Sequence, residues 1–258
     1  ASSYGPAPAT TTVENVTEKG FWYKIDEFSY QDGVRIGEES ISWMAVSEGD
    51  HVLADGTKIS SGTTLVNNSE KTEVEFQQSF DDDPVIFTES INNSDLALVT
   101  RKDDVTEDGF SAKVQTEEGK QHNYQETEIS WIAIENAESE VFTIGEQSVN
   151  HEFTEIDSVE GFNQGDDVFL ADMQTMNGAN TANISYDTDD EGNLYIQVDE
   201  ETSKDQETWH VYEEVGYLIA AQGSYDLYEK IKIMNMKIKT QMMILSCITI
   251  LNMAIIAL

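Results

Sequence analysis

Basic residues are scarce in this chain. It holds 14 Lys and Arg against 50 Asp and Glu in 258 residues, which gives a formal net charge of −36. Because binding to a phosphate backbone requires clustered Lys and Arg, this composition excludes nucleic-acid partners. The excess acid fits a secreted protein in salty or calcium-rich water, where ions screen the repulsion, and it also fits a solubility device without any ligand. The apolar fraction of 39% is ordinary, so we expect a packed core rather than a disordered chain.

Cysteine and catalytic motifs are scarce as well. Cys247 is the single cysteine, so the chain can form neither an intrachain disulfide nor a multi-cysteine metal site. The sequence contains no nucleophile elbow, no His-Glu-x-x-His zinc motif and no phosphate-binding loop. Acidic pairs are too numerous to single out a glycosidase couple. We therefore predict a protein without enzymatic activity.

The start of the chain and its sequons bear on location. The sequence begins ASSYGPAPATTT, with neither an initiator methionine nor a signal peptide, which is typical of a mature chain or an excised fragment. An Asn-, Ser- and Thr-rich chain contains several N-x-Ser/Thr sequons by chance, so they indicate a glycosylated secretory protein only weakly. The candidate glycosylation sites are Asn15, Asn67, Asn92 and Asn183.

An internal repeat is present. VENVTEKGF (13–21) and KDDVTEDGF (102–110) share the pattern V-T-E-x-G-F, and each precedes a longer apolar run. Those runs carry Trp43 and Trp131, and a third run carries Tyr217 at the same place, so that the aromatic residue recurs after 88 and 86 residues. Such equivalent positions inside apolar runs are typical of core anchors.

The part of the repeat upstream of this pattern recurs too, and each copy is typical of β structure. FDDDPVIFTESINN (80–93) matches FNQGDDVFLADMQTMN (162–177), and short runs of Val, Ile, Phe, Tyr and Trp alternate with Gly-containing turn signals. ISWIAI and VGYLIA are apolar enough for strands covered on both faces. We predict an all-β fold of tandem, small, antiparallel six-stranded β-sandwiches, the first incomplete, followed by an apolar C-terminal tail. The predicted domains are 1–59, 60–139, 140–225 and the tail 226–258.

The order of these segments resembles a known family. A strand with P-V-I-F, then V-T-x-x-G-F, then I-S-W-I-A-I is similar to the H-type lectin domain, a six-stranded antiparallel sandwich that binds sugars. It is also similar to related repeat modules of large microbial extracellular proteins, in which a His and a Glu precede the last strand. The resemblance covers the two complete units and the second half of the first. It implies an extracellular protein whose sugar site combines polar side chains at strand ends with an aromatic face.

The candidate carbohydrate-binding residues follow from that resemblance and from the scarcity of cations. The segment before the last strand carries His122 in one unit and Trp209, His210 and Glu213 in the next. Arg101 is one of only two arginines, and a guanidinium could grip a sugar hydroxyl or an acidic sugar.

Each of these candidates has a structural alternative. The two histidines could hydrogen-bond a neighbouring strand, and the corresponding segment of the first copy, VRIGEESISW, contains no histidine. Arg101 could instead pair with Asp103 or Asp104, which are its neighbours in sequence.

One acidic loop suggests calcium, the only cofactor for which the sequence gives a reason. Asp187, Asp189 and Glu191 precede Gly192 with a spacing similar to that of an EF-hand loop. The twelfth position of such a loop requires a Glu, but Val198 occupies it. Because the stretch also aligns with the hairpins of the other copies, a plain turn is favoured.

The tail differs in composition from the rest. Residues 230–258 contain four lysines and no acid, and they end in MMILSCITILNMAIIAL. That run is at the lower limit for spanning a bilayer, so residues 240–258 could form a C-terminal anchor or contact a membrane. The alternatives are a removable lipid-anchor signal, a strand or helix buried in an assembly, and a terminus unrelated to the repeats.

The incomplete first unit needs a partner, because half a sandwich exposes apolar faces and strand edges. An absent upstream segment, a neighbouring repeat or a strand from another subunit could complete it, and our hypothesis is head-to-tail assembly. The sequence thus predicts an extracellular or cell-surface protein that binds glycans. The alternative is a structural subunit of a filament, sheath or adhesin, completed by strand exchange between copies.

Overall fold

A computed structural model gives the fold. The strands and two short 3-10 turns, Ser29–Gln31 and Glu118–Lys120, account for its regular structure, and the described residues include no α-helix, so the predicted all-β class is confirmed. The structure describes residues 2–3, 9–17, 20–31, 39–91, 96–120, 125–156, 162–163, 166–224, 231–238, 243–244 and 253–257.

Five strands precede the first complete unit: β1 (Ser2–Ser3), β2 (Ala9–Thr17), β3 (Gly20–Glu27), β4 (Glu39–Ser47) and β5 (Gly49–Val52). β2 and β3 form an antiparallel hairpin with an irregular register beside Asn15, whose φ is 49°. Asp104 lies at the matching position of the repeat and has a φ of 53°. Asn and Asp are the residues that best tolerate this left-handed conformation, so the irregularity is repeated with the sequence.

The next six strands form what we call the second unit: β6 (Lys58–Asn67), β7 (Thr72–Glu75), β8 (Val85–Ile91), β9 (Val99–Thr106), β10 (Gly109–Gln115) and β11 (Glu126–Ile134). β11 lies between β6 and β8, and β10 lies between β7 and β9, with antiparallel pairing throughout. The sixth strand is therefore the centre of one sheet, and the fifth is the centre of the other.

The third unit repeats this topology strand for strand. β17 lies between β12 and β14, and β16 lies between β13 and β15, again antiparallel. Its strands are β12 (Thr143–Val149), β13 (Thr154–Glu155), β14 (Asp167–Met173), β15 (Ala182–Thr188), β16 (Leu194–Glu200) and β17 (Glu213–Ala221).

The tail completes the first unit. Its strands are β18 (Gly223–Ser224), β19 (Ile231–Ile238), β20 (Met243–Ile244) and β21 (Met253–Ala257). β19 and β21 flank β4, and β20 pairs with β3, all antiparallel. These are the pairings that the first, third and second strands make in the other units. We therefore define the first unit as β2–β4 together with β19–β21.

The missing strands thus come from the same chain, whereas the hypothesis of head-to-tail assembly takes them from another. The described parts of the tail are paired strands, as the buried-strand alternative expects. Among the described residues, no helix has the length and apolarity needed to cross a bilayer. Strand exchange between chains would place the same strands in the same positions, so it stays a prediction, as does the membrane anchor.

Apolar side chains explain why the sheet centred on the sixth strand is covered on both faces. In β11, Ile132 and Ile134 face a central core, whereas Ile129, Trp131 and Ala133 face the second unit's own core. The other two units alternate in the same way, and Trp43, Trp131 and Tyr217 are all buried, which confirms them as core residues. The central core is shared by all three units and includes Met44, Val46, Val85, Phe87, Val168, Leu170, Leu218, Ile231 and Ile233.

The three units touch pairwise around this core and so form a closed ring. The first meets the second where β2 pairs with β8 at Val13 and Ile91. The third meets the first where Asn183 donates to the carbonyl of Ala9 (2.7 Å) and where the Thr202 amide donates to the Tyr30 hydroxyl (2.8 Å). The contact between the second and third units is ionic and is described below.

Shortening Ile233 tests whether the tail belongs to the central core. The side chain is fully buried in that core, so Ile233→Ala should lower the free energy of unfolding by about 2–5 kcal/mol. The control is Leu65→Ala on β6, where the side chain is 56% exposed and the change should stay within about 0.5 kcal/mol. Denaturant unfolding at constant salt measures both, and equal stability of the two variants would contradict the placement of β19.

Candidate functional site

A buried ion pair joins the second and third units. The Nη2 atom of Arg101 on β9 lies 2.9 Å from Oε1 of Glu213 on β17, and both side chains have no exposed surface. Arg101 Nη1 also donates to the side chain of Gln115 and to the carbonyl of Asn180, each at 3.1 Å. A buried guanidinium is costly unless its charge is matched, and here the match comes from the neighbouring unit.

Glu213 is held in its ionised form. It accepts hydrogen bonds from the Thr175 hydroxyl (2.6 Å) and from the amides of Asn177 and Gly178 (2.8 Å each). Burial alone raises the pKa of Glu213, but the hydrogen bonds from His210, Thr175 and the two amides outweigh it and lower that pKa to about 2.

His210 connects Glu213 to a second carboxylate. Its Nδ1 lies 2.5 Å from Oε1 of Glu200, and its Nε2 lies 3.1 Å from Oε1 of Glu213. A Cβ on residue 178 would overlap the imidazole, so the glycine at 178 makes room for it. The ring is thereby contacted from three sides.

A second buried ion pair lies beside the first. Lys102 Nζ is 2.6 Å from Oδ2 of Asp172 and donates to the carbonyl of Met173 at 2.7 Å. The same Asp172 oxygen accepts from the amide and the hydroxyl of Thr88, both at 2.9 Å. Gln174 extends the link by bonding to the amide and the carbonyl of Ile86, again both at 2.9 Å. The third strands of the second and third units, β8 and β14, are therefore joined through side-chain hydrogen bonds.

At the corresponding contact between the first and second units, a valine stands where the lysine of the second ion pair stands. In the repeat alignment Glu89 takes the place of Asp172, and Val13 takes the place of Lys102. Glu89 is buried and accepts from the Thr11 hydroxyl at 2.6 Å. Because burial disfavours its charge, the pKa of Glu89 is raised to about 8.

Two exposed aromatic residues lie on the segment that carries His210 and Glu213. The side chains of Trp209 and Tyr212 are 57% and 61% exposed. The Trp209 ring lies 5.8 Å from that of His151, whose Nδ1 is 3.1 Å from the carbonyl of His210. The side-chain amide of Asn177 donates to the carbonyl of Tyr212 at 2.9 Å. Two aromatic side chains therefore lie at the surface on a segment whose backbone carbonyls contact His151 and Asn177.

The predicted carbohydrate-binding residues have different surroundings in the structure. Arg101, His210 and Glu213 come together, but they are buried and their polar atoms face one another. Trp209 lies next to them and is exposed. His122 lies outside the described residues. Whether any of them binds a sugar stays a prediction.

The alternative pairing of Arg101 with its sequence neighbours is wrong, because Arg101 points between the units and reaches Glu213 instead. Asp103 and Asp104 bind Lys71, at 2.6 and 3.1 Å.

The acidic loop at 187–191 forms the turn of the β15–β16 hairpin. Asp189 accepts from the amide of Glu191 (2.9 Å) and from the amide (2.9 Å) and side chain (2.7 Å) of Asn193, and Gly192 has a φ of 84°. Local hydrogen bonds thus occupy the carboxylate of Asp189, as in other Asx turns. In the part of the chain that the structure describes, no group of three or more His, Cys, Asp or Glu is arranged to hold a metal. Calcium binding through Asp187, Asp189 and Glu191 stays a prediction.

The sequons differ in accessibility. Asn15 is exposed on β2, and Asn67 stands at the end of β6, where its Oδ1 accepts from the amide (2.8 Å) and hydroxyl (2.6 Å) of Ser69. Asn183 is buried, and its side-chain nitrogen is engaged with Ala9. Asn92 lies outside the described residues.

The sequence reasoning missed Lys102, Asp172, Glu200 and Tyr212. The scarcity of cations, which singled out Arg101, applies equally to Lys102 beside it. Alternation along a strand suggests that one of two adjacent cations faces solvent. Both are buried because the third unit covers this end of β9.

Comparison with known proteins gives one relative. Halomucin from Haloquadratum walsbyi is 30% identical over 219 residues, which make up 81% of this chain and 2% of that protein. The chain thus spans 2% of the length of the curated relative that it matches. No family model and no solved structure matches it.

Removing the charge of Glu213 tests the ion pair. Glu213→Gln leaves the Arg101 guanidinium buried without a counter-charge, so the free energy of unfolding should fall by about 3–5 kcal/mol. Glu214→Gln alters the exposed neighbour in the same way and should change stability by about 0.5 kcal/mol or less. Denaturant unfolding compares the two variants. A similar loss of unfolding free energy in both would show that the ion pair of Glu213 contributes no more to stability than an exposed carboxylate.

The buried carboxyl of Glu89 predicts a pH dependence. Its pKa is about 8 in the folded chain and about 4.3 when unfolded, so the folded state binds the proton more strongly. The stability that Glu89 contributes is therefore complete below about pH 4.3 and is lost as the pH rises to about 8. Glu89→Gln lacks this titration, and its stability relative to the parent chain should rise by up to about 1.4 kcal/mol per pH unit in that window.

The difference between Glu89→Gln and the parent chain, taken from unfolding curves at pH 5 to 9, isolates this group from the other acids. Glu128→Gln, at an exposed position of β11, is the control and should give a flat difference. If the stability difference between Glu89→Gln and the parent chain is also independent of pH from 5 to 9, the carboxyl of Glu89 is already ionised at pH 5 in the folded chain.

Proposed function

We propose that this chain is a non-catalytic module of an extracellular surface protein and that it binds carbohydrate. The observation that carries the proposal is the pair of exposed aromatic side chains, Trp209 and Tyr212, on the segment before β17. An aromatic face can pack against the C–H face of a sugar ring, and the polar tips of Trp and Tyr can bond to its hydroxyls.

The buried cluster gives this surface its rigidity. His210 and Glu213 lie next to the exposed residues in sequence and are fixed by Glu200 and Arg101. In the proposal these buried groups position the aromatic faces, and the sugar contacts Trp209, Tyr212 and their exposed surroundings. A surface that does not have to be ordered on binding loses less conformational entropy.

Asn177 and His151 supply the polar part of the proposed site. The Asn177 side chain is exposed beside the backbone of Tyr212, and the His151 ring is next to that of Trp209. Sugar hydroxyls both donate and accept, and an amide and an imidazole can serve either role. The resemblance to H-type lectins points to the same segment and remains a prediction.

The similarity to Halomucin supports the extracellular part of the proposal. The name of that protein describes a mucin, and the chain matches only a small part of its length. A net charge of −36 fits salt-rich surroundings, where screening limits repulsion between the acidic side chains.

A structural role is the second candidate. A module that matches 2% of a very long relative could act as one rigid body among many in a filament, sheath or adhesin. The closed ring with its shared core has the rigidity that this role requires. In that case the exposed aromatic residues would contact another part of the assembly rather than a sugar.

Trp209→Ala separates the two roles. On a glycan array, read with and without calcium, the parent chain should bind at least one glycan. The affinity of the variant for that glycan should be lower by a factor of about ten or more. Leu65→Ala removes a side chain of similar exposure from another unit and should bind like the parent. No binding by the parent in either condition would leave the structural role.

A further inference from the structure

We propose that strands β19–β21 exchange between copies of this chain, so that the tail of one molecule completes the first unit of another. The partner is a second copy, and the surface that receives it is the pair of edges on either side of β4.

The surface left behind when the tail leaves is suited to pairing. β4 forms eight residue pairs with β19 along one edge and five with β21 along the other. Without the tail, both edges of β4 are bare, and the central core loses the buried side chains of Ile231 and Ile233. A strand with one bare edge already templates pairing with another chain, and here both edges are bare next to an opened core.

The tail differs from the equivalent segments of the other units opposite the buried aromatic residue of the sixth strand. The register places Gly62 opposite Trp131 and Gly145 opposite Tyr217, where a Cβ would press on the aromatic ring.

At the matching place in the first unit, the residue opposite Trp43 is Met234 instead of glycine. The first unit therefore has a larger residue where the other two have glycine, so it is the unit that should open first.

Charge and sequence order favour the same event. All 50 acidic residues precede residue 230, while the tail carries four lysines, so a released tail is attracted to any copy of the acidic body. The second and third units lie between β4 and β19 in the sequence, and neither has to unfold when the tail leaves. An exchanged tail makes the same pairs with β3 and β4 as it makes within its own chain, and it gives up the two pairs between β18 and β19, so exchange costs those pairs and the entropy of association.

A disulfide across β4 and β19 reports which chain supplies the tail. The register places Asn235 opposite Ser42, so Ser42→Cys with Asn235→Cys, in a Cys247→Ser chain, puts two thiols at cross-strand distance. A tail that pairs with β4 of its own chain gives a disulfide within that chain. A tail that pairs with β4 of a second copy gives a disulfide between two chains. Thr63→Cys with Ser130→Cys places the control pair at the equivalent position of the second unit.

Both variants are warmed at high salt to the onset of unfolding, cooled, oxidised and run on non-reducing gels over a tenfold range of concentration. We expect interchain bonds in the test pair only, with a dimer-to-monomer ratio that rises about tenfold over that range while monomer dominates. Light scattering of the Cys247→Ser chain after the same treatment should show matching dimers.

Interchain bonds in both pairs would reflect general association of unfolded chains and would overturn the proposal. Intrachain bonds in both pairs at every concentration would overturn it too. Dimers that form without an interchain disulfide in the test pair are held together at another surface, and this result would contradict the proposal. A chain that remains monomeric by light scattering contradicts it whether or not the thiols oxidise.

Discussion

The central position of the sixth strand in each unit is the constraint on which the rest of the structure depends. β4, β11 and β17 each need a strand on both edges and apolar side chains on both faces. The edges are filled by the first and third strands, and one face is covered by the unit's own second sheet. The other face can be covered only by the equivalent faces of the other two units. The shared core is thus a requirement of each unit, and it explains why the tail returns to β4.

The contacts between units are alike in position but not in chemistry. The second and third units are joined by two buried ion pairs, Arg101 with Glu213 and Lys102 with Asp172. The first and second are joined through hydroxyls and the buried carboxyl of Glu89. Buried ion pairs are a poor source of net stability because desolvation offsets the attraction. Their effect here is to define which unit faces which, since a unit without the matching charge cannot take that place.

The sequence predicted the fold class and the core anchors well, for a physical reason. Sixth strands such as ISWIAI are buried on both faces, so their composition is constrained along their whole length and the copies remain recognisable. First strands are less constrained. KISSGTTLVN, TIGEQSV and IKIMNMKI occupy equivalent positions with little similarity.

Two parts of the structure could not be read from the sequence. An apolar run near a chain end is typical both of a β-strand and of a membrane anchor, so the tail was ambiguous. Arg101 was recognised as a scarce cation, but its partner lies 112 residues away among 50 acids, and only the packing of the units selects Glu213. Trp209 was identified through its neighbours, whereas Tyr212 had no pattern to mark it.

The shared central core also sets the step by which such a protein can grow. Every unit gives one face to a space that three sheets fill, so a fourth unit would have no place in it, and deletion of one would leave the other two unfilled. Duplication of a single six-stranded unit would therefore be destabilising, even though the sequence repeat corresponds to one such unit. Lengthening by whole rings meets no such penalty, so the packing favours a growth step three times the size of the visible repeat.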